Sequence, residues 1–573
     1  MSPPRFILAL PRDRPPTQGI VRETNPLVKP QATAWLWASD AMPVADAGDG
    51  SVVIGHCFSR AGPKNGIGWF QHSSDATQSA KSLLRKGWGA YFAVLPDVST
   101  NRWQVMSDPS GLLPVFRLLT SSHVILSSDP ALFQGASGLK PEVCWRRTLH
   151  HLMQPDLRQR ATCLAGVDEL PPGVLLDPSS PDAPEQVLWS PSDHFPANAA
   201  LTFESAREEL RAVACNVLDA WQMALGPVAV AVSGGVDSSF ICGALAAGGR
   251  EFGCITLATA EAGGDERYFA RLLANHLDRP LMEFIYDPAA LTPQSFASKG
   301  MPRPSRRTFV MAVDTMLARG AAELAAAVVL DGNAGDNLFC YLHSAVPVAD
   351  RLRSEGPSFG TFSTLLDMCR VTGCDIPTMA KETLRKLRQG GSAPSFFCDT
   401  RLLTTDAHSD SEIEPLVSWP ENVHGPCTGK HDHVALIMRA RHNIHGISSR
   451  VPRLSPLISQ PLLETCLRIP TWLWPTGGVN RALARAAFAS ELPAELFNRT
   501  AKPGPDSFIR QAFERNRIQL HVLLREGLLV KNGLLDATQL DRVFAGETAN
   551  DWKTVRRLLD LAEAENWARS WQA

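Results

Sequence analysis

The sequence predicts an α/β protein: a strand-rich first part, then a domain built on a doubly wound parallel sheet. Three observations predict this. Short apolar runs at 228–232, 252–257 and 281–285 alternate with stretches of helical periodicity, the pattern of a parallel sheet. Two apolar runs, at 228–232 and 327–330, lead straight into glycine loops that carry an aspartate. The first 195 residues instead hold short β-type runs separated by turn signals. The division falls there, giving one domain over 1–195 and a second over 196–573.

The 573 residues leave room for two to four domains. With 44% hydrophobic and 20% charged residues, the chain has the balance of an ordinary globular protein. A formal net charge of -2 and the lack of a basic run argue against nucleic acid as a partner. The opening apolar run, Phe6-Ile7-Leu8-Ala9-Leu10, is too short for a secretion signal. No run of about 20 apolar residues predicts a membrane span. The twelve cysteines form no C-x-x-C pair, so reduced thiols and a cytoplasmic location are expected.

In chain order, 51–58 and 89–95 are the first strands. Trp103-Gln104-Val105-Met106 leads into a turn at Ser107-Asp108-Pro109-Ser110-Gly111, and 115–119 with 124–126 reads as a hairpin. Residues 181–200, rich in Pro, Ser, Asp and Ala, read as a linker. Residues 203–225 have apolar positions at helical spacing and predict a helix leading into the first parallel strand. Further helices are expected from Phe240, over 266–274, and from Asn480 to a stop at Leu492-Pro493. Residues 345–430 hold interrupted helical stretches such as 379–388. His431, His433, His442 and His445 have poor spacing for zinc and read as surface or hydrogen-bonded side chains. The tail, 537–571, reads as helical, with Phe544, Trp552 and Trp567 packing in its core.

The chemistry concentrates in two loops. Val232-Ser233-Gly234-Gly235-Val236-Asp237-Ser238-Ser239 joins a strand to a helix start, which makes an anion site. The helix start offers unpaired N–H groups, Gly234 and Gly235 let the backbone close on a ligand, and the serine hydroxyls donate to phosphate oxygens. Asp237 would repel phosphate and makes sense as the ligand of a divalent cation bound to it. The Walker A pattern is absent. Leu330-Asp331-Gly332-Asn333-Ala334-Gly335-Asp336-Asn337-Leu338-Phe339 repeats the design. Both loops fall at the C-terminal ends of parallel strands, where such sheets bind ligands. Asp237 and Asp336 together can bind Mg²⁺.

S-G-G-x-D-S-S resembles the pyrophosphate loop of the ATP pyrophosphatases, which split ATP between the α and β phosphates. Gly332, Asp336 and Phe339 keep the spacing of S-G-x-G-x-D-E-x-F in the asparagine synthetase family, with Gly335 one residue after its second glycine, and Lys502 falls on the lysine of its R-x-x-K-x-G. The resemblance implies ATP and Mg²⁺, with Asp237 and Asp336 as metal ligands. It implies that Lys502 offsets charge on the pyrophosphate and the tetrahedral intermediate. It places ATP contacts at Ala231, Val232, Ser233, Gly234, Gly235, Asp237, Ser238, Ser239, Leu257, Asp331, Gly332 and Lys502. At the front, Gly89-Ala90-Tyr91-Phe92-Ala93, the Asp108-to-Gly111 turn, Ser127 to Leu132, and Leu170-Pro171-Pro172-Gly173 are similar to the glutaminase domain of asparagine synthetases, an Ntn-type β sandwich. Working glutaminases of that kind use an N-terminal cysteine. Here Ser2 is followed by Pro3-Pro4, and the first cysteine is Cys57. A degenerate domain that hydrolyses no glutamine is expected.

Two departures narrow the reading. Asparagine synthetases carry Glu where this chain has Asn333 and Asn337, and Asn cannot act as a base. The Gly-Asp-Asn-x-Phe form resembles the lasso-peptide cyclases. So does Pro456-Leu457-Ile458-Ser459-Gln460-Pro461-Leu462-Leu463-Glu464, which is similar to their P-L-x-S-Q-P-L-x-E. Asparagine synthetases have R-V-P-F-L-D near Arg450-Val451-Pro452-Arg453-Leu454-Ser455. Lasso-peptide cyclases join a peptide's N-terminal amine to an Asp or Glu side chain of the same peptide. This resemblance implies a precursor-peptide substrate, with a leader-cleaving protease and a leader-recognition protein as partners. A β-lactam-forming or ammonia-using ligase of the same family is the alternative, although β-lactam formers tend to have Tyr at the position of Asn333.

Overall fold

A computed structural model of the chain describes residues 4–12, 20–26, 33–47, 50–62, 66–71, 73–180, 183–195, 201–261, 265–287, 292–293, 300–305, 310–389, 397–404, 415–416, 428–444, 451–498, 506–547 and 551–572. Two six-stranded sheets make up the first part. Phe6–Pro11 sits inside one, antiparallel to Trp35–Ala38 and His123–Ser127. Gly87–Asp97 sits inside the other, between Val52–Ser59 and Arg102–Ser107. The expected hairpin is formed by Phe116–Leu119 and His123–Ser127. Strand alternation sorts the side chains. Phe6, Leu8 and Leu10 meet Ile54, Phe92 and Val94 between the two sheets. Val53, Tyr91 and Ala93 point the other way, into the core shared with the rest of the chain. Leu170-Pro171-Pro172-Gly173 carries the chain from Val167–Glu169 in the first sheet to Val174–Leu176 in the second.

The first cysteine of the chain is Cys57. It is 1% exposed, and burial, helped by Asp108, pushes its thiol well above the usual range. Ser2 lies outside the described residues.

The second part is built on five parallel strands: β1 (Val228–Ala231), β2 (Phe252–Ala258), β3 (Leu281–Ile285), β4 (Val328–Asp331) and β5 (Arg453–Leu454). Their order is β3-β2-β1-β4-β5, and all four pairings are parallel. The chain winds outward from β1 in one direction and from β4 in the other, so a crevice opens between the ends of these two strands. The helix α1 (Phe203–Leu225) is capped by Thr202 and leads into β1. After β1, α2 (Val236–Ala247) begins four residues earlier than expected, because Gly235 takes the N-cap position. Asp237, Ser238 and Ser239 therefore lie in its first turn. Four further helices matter below: α3 (Val310–Glu323), α4 (Thr428–Ile444), α5 (Gln460–Arg468) and α6 (Ala482–Ala487). The helix expected from Asn480 is this short α6, and Leu492-Pro493 precedes the next helix, Ala494–Asn498.

Three other expectations are corrected or completed. The 181–200 stretch is more than a linker. Gln186–Val187 adds a strand to the second sheet, Pro191–His194 forms a 3-10 helix, and Trp189 is buried. Trp552 is 50% exposed and so is no core residue, whereas Phe544 and Trp567 are buried. His433 is buried, with its Nε2 2.8 Å from the Leu338 carbonyl, and His431 is buried beside it. His445 and the side chain of His442 lie outside the described residues. Among the described residues no cluster of three or more His, Cys, Asp or Glu side chains is placed to hold a metal, no disulfide joins the cysteines, and no helix is long and apolar enough to cross a membrane.

Glu464 on α5 ties the two parts together. Arg60 grips it with both terminal nitrogens at 2.8 and 2.9 Å, Trp189 Nε1 donates at 3.1 Å, and Gln460 Nε2 donates at 2.8 Å. Burial pushes this carboxyl up, but Arg60 and the hydrogen bonds outweigh burial and hold it below its ordinary 4.5. Its stabilisation is therefore present above that pH and is lost as pH falls beneath it. Glu464→Gln is expected to cost about 2 kcal/mol near pH 7, less than a fully buried pair would because Arg60 is partly exposed. The difference should shrink near about pH 4. Urea unfolding at the two pH values checks this; an equal difference at both would remove the charge from the tie.

Candidate active site

A cavity of about 670 Å³ opens at the C-terminal ends of β1 and β4. Both glycine loops line it. Its shape starts with backbone conformation. Gly234 has φ +61, a left-handed value that costs glycine little and other residues more. This turn brings Ser233 back over the start of α2, where its N–H donates to Ser238 Oγ at 3.3 Å. The second loop then packs tightly on the first. A Cβ at Gly332 would lie 2.8 Å from the Ser238 nitrogen, and a Cβ at Gly335 would collide with the Asp237 carboxylate. Glycine at 332 and 335 is thus what lets the two aspartates approach each other.

The expected residues divide clearly. Ala231, Ser233, Gly234, Gly235, Asp237, Ser238, Leu257, Asp331, Gly332 and Asp336 all line the cavity. Val232 and Ser239 do not; both are buried behind it. Alternation along the strand turns Val232 away from the side of Ala231. One helical step of about 100° turns Ser239 inward, where its hydroxyl has no hydrogen-bond partner among the described residues. Lys502 lies outside the described residues.

The two carboxylates converge on one cation, the Arg481 guanidinium. Its Nη1 is 3.0 Å from Asp237 Oδ1 and also bonds Asp336 Oδ1. Arg481 takes the N-cap position of α6 with φ +54, an unfavourable region for a side chain of this size. Its guanidinium lies 5.2 Å over the Tyr341 ring. Arg485, one turn along α6, also lines the cavity; burial and then the Arg481 charge lower its pKa to about 10. Two carboxylates that share one cation fit a hard divalent ion such as Mg²⁺, which prefers oxygen ligands.

Asp331 turns out to be a structural anchor. Its side chain accepts from Ser455 Oγ at 2.6 Å, from Arg453 Nη2 at 2.9 Å and from the Asn333 N–H at 3.2 Å. Arg453 also reaches Asp314 on α3 at 3.4 Å. These contacts join the ends of β4, β5 and α3 at the cavity wall. Asn337 is likewise tied down: its amide donates to the Leu436 carbonyl of α4 at 2.8 Å.

Sequence reasoning missed Arg453, Tyr341, Arg481 and Arg485 as cavity residues. A signal existed for Arg453. In the register of R-V-P-F-L-D, it stands where asparagine synthetases have Phe, and Ser455 stands where they have Asp. For Tyr341 and the two arginines of the 480–485 stretch, nothing local marked the direction of their side chains.

Comparison with known proteins gives one family. A family model described as asparagine synthase matches residues 216–411 and 439–569. A comparison with curated proteins finds no match. Among solved structures, one described as the structure of the allosteric regulatory enzyme of purine biosynthesis matches at 10% identity, over 50% of this chain and 71% of that one. Its TM-score is 0.16, too low to carry an argument.

Proposed function

The chain belongs to the asparagine synthase family of ATP-dependent, AMP-forming ligases, and on that premise we propose that it is a lasso-peptide cyclase. Its substrate is a precursor peptide. An Asp or Glu side chain of the core peptide is adenylated and pyrophosphate leaves. The peptide's N-terminal amine then attacks the acyl carbon, the C–O bond to AMP breaks, and a macrolactam remains. The released proton goes to solvent.

The observation that carries this reading is the chemistry of the 333–337 loop. Asn333 and Asn337 stand where asparagine synthetases have carboxylates, and the Asn337 amide is committed to α4. Neither can take a proton from an amine. A peptide α-amine has an unperturbed pKa near ~8, so a useful neutral fraction exists without a strong base. What such a cleft must supply is geometry, holding amine and activated carboxyl in contact. Asp237 and Asp336 would hold Mg²⁺, which when bound neutralises charge on the polyphosphate. The serine hydroxyls and backbone N–H groups at the start of α2 hold phosphate oxygens. Arg481 and Arg485 complement the leaving pyrophosphate. Lys502 joins them on the strength of its motif.

The cyclase-like P-L-x-S-Q-P-L-x-E stretch supports the same reading in another way. Ser459, Gln460 and Glu464 are buried, Ser459 Oγ accepts from Trp221 at 2.9 Å, and Glu464 holds Arg60 and Trp189. These residues join the sandwich to the ligase part. We therefore assign the first domain a bracing role, in keeping with a degenerate glutaminase-like domain. A leader-cleaving protease and a leader-recognition protein are the expected partners, in the cytoplasm.

The test is mass spectrometry of a synthetic candidate core peptide with ATP. A loss of about 18 Da with one AMP formed, absent in Asp237→Ala, supports the proposal. AMP formed with small β-amino acids or with aspartate and ammonia, but with no peptide, overturns it in favour of the small-molecule ligase.

A further inference from the structure

Asp237 and Asp336, the two carboxylates suited to a metal, already hold a cation that belongs to the chain. Arg481 reaches both, 3.0 Å from Asp237, and its side chain is only 13% exposed. The backbone at 481 has φ +54. Charge counting adds a second constraint. Among the described residues the cavity is lined by three carboxylates, Asp237, Asp331 and Asp336, and by three guanidiniums, Arg453, Arg481 and Arg485. The formal charges of these six side chains cancel. Free Mg²⁺ would add two positive charges beside Arg481 and would have to displace that side chain from both carboxylates. A metal–nucleotide complex brings its own negative charge, and its polyphosphate gives Arg481 a new partner.

We propose that Arg481 is a positioning residue that fills the metal site of the nucleotide-free protein, so that the divalent cation enters only together with a nucleotide polyphosphate, to which Arg481 then transfers. The inference rests on the assignment of Asp237 and Asp336 as metal ligands and goes beyond it by setting the order of binding. It requires no particular acyl acceptor, so it stands or falls separately from the cyclase reading.

The test is a titration of the full-length protein with Mn²⁺, followed by electron paramagnetic resonance and without substrate peptide. Without nucleotide, the wild type should bind Mn²⁺ weakly and Arg481→Gln at least about tenfold more tightly, because a positive charge next to the ion is gone. With α,β-methylene ATP the wild type should gain strongly, and the variant much less. Arg481→Lys, which keeps the charge on a shorter reach, should fall between the two. The double variant Asp237→Asn/Arg481→Gln should lose the gain, placing the ion on Asp237. Equal Mn²⁺ affinity of wild type and Arg481→Gln without nucleotide would overturn the proposal, as would a gain that survives Asp237→Asn. A purely structural role for Arg481 would shift the melting temperature but would not make metal affinity depend on nucleotide. If Arg481→Gln fails to fold, the lysine variant carries the same comparison, and affinities equal to wild type with and without the analogue would overturn the proposal.

Discussion

Asp237→Ala is expected to lower ATP-dependent AMP formation at least about a thousandfold while the fold stays in place. The carboxylate sits in the first turn of α2, facing Asp336 across a gap that Gly335 keeps open. Its removal leaves Arg481 with Asp336 as its carboxylate partner and, among the described residues, the cavity lining with three guanidiniums against two carboxylates. Charge stabilisation around a leaving pyrophosphate is worth several kcal/mol, and about 4 kcal/mol corresponds to the factor given. The effect on stability should be small, about 1 kcal/mol or less, since the loss is chiefly that of an acidic group at a helix N-terminus. Chromatographic measurement of AMP, together with a thermal melt, separates the two effects. Asp336→Ala should behave alike in turnover. Its carboxylate is far more exposed, at 61%, so its removal should disturb the melt even less. Turnover within tenfold of wild type for Asp237→Ala would take that residue out of the chemistry.

These two aspartates were readable from the sequence because each stands a few residues after an apolar strand, in a loop whose glycines announce the turn. Strand, glycine and aspartate form a local pattern, and local patterns survive translation into structure. The parallel sheet was readable for the same reason: β2 and β3 fall where their apolar runs do. Features that depend on distant parts of the chain were not readable. Arg481 lies 244 residues from Asp237, and only the packing of α6 against the crevice brings them together. Trp189 looked like part of a linker because its partner, Glu464, lies 275 residues away. Trp552 looked like a core residue because helical spacing identifies a face without saying what covers it. Val232 and Ser239 belong to the right loop, but one residue of strand or helix rotation turns each from the cavity to the core.

The pair Asp331 and Ser455 supplies the second large effect, and it is an effect of non-additivity. Asparagine synthetases have Ser at the position of Asp331 and, in the register of R-V-P-F-L-D, Asp at the position of Ser455. This chain has the two residues exchanged, and they remain hydrogen-bonded at 2.6 Å, both buried. The exchange moves the carboxylate from the β5 side of the cavity wall to the end of β4, within 2.9 Å of Arg453, which replaces an apolar residue. Ser455→Asp would place two buried carboxylates against each other, at an expected cost of about 3–5 kcal/mol. Asp331→Ser would leave Arg453 with Asp314 as its one carboxylate partner among the described residues, on a contact of 3.4 Å, and should cost about 3 kcal/mol. Each single variant should therefore lower the unfolding midpoint and also AMP turnover, since the same contacts hold the Gly332-to-Asp336 loop. The double variant Asp331→Ser/Ser455→Asp restores one hydroxyl facing one carboxylate and keeps a negative charge near Arg453. It should recover most of both losses, with a coupling energy of about 2–3 kcal/mol in the double-mutant cycle. Urea unfolding of the four proteins, with turnover measured on the same preparations, gives that energy directly. If the two single losses simply add, the pair is not a unit, and Arg453 must be held by Asp314 and the fold around it.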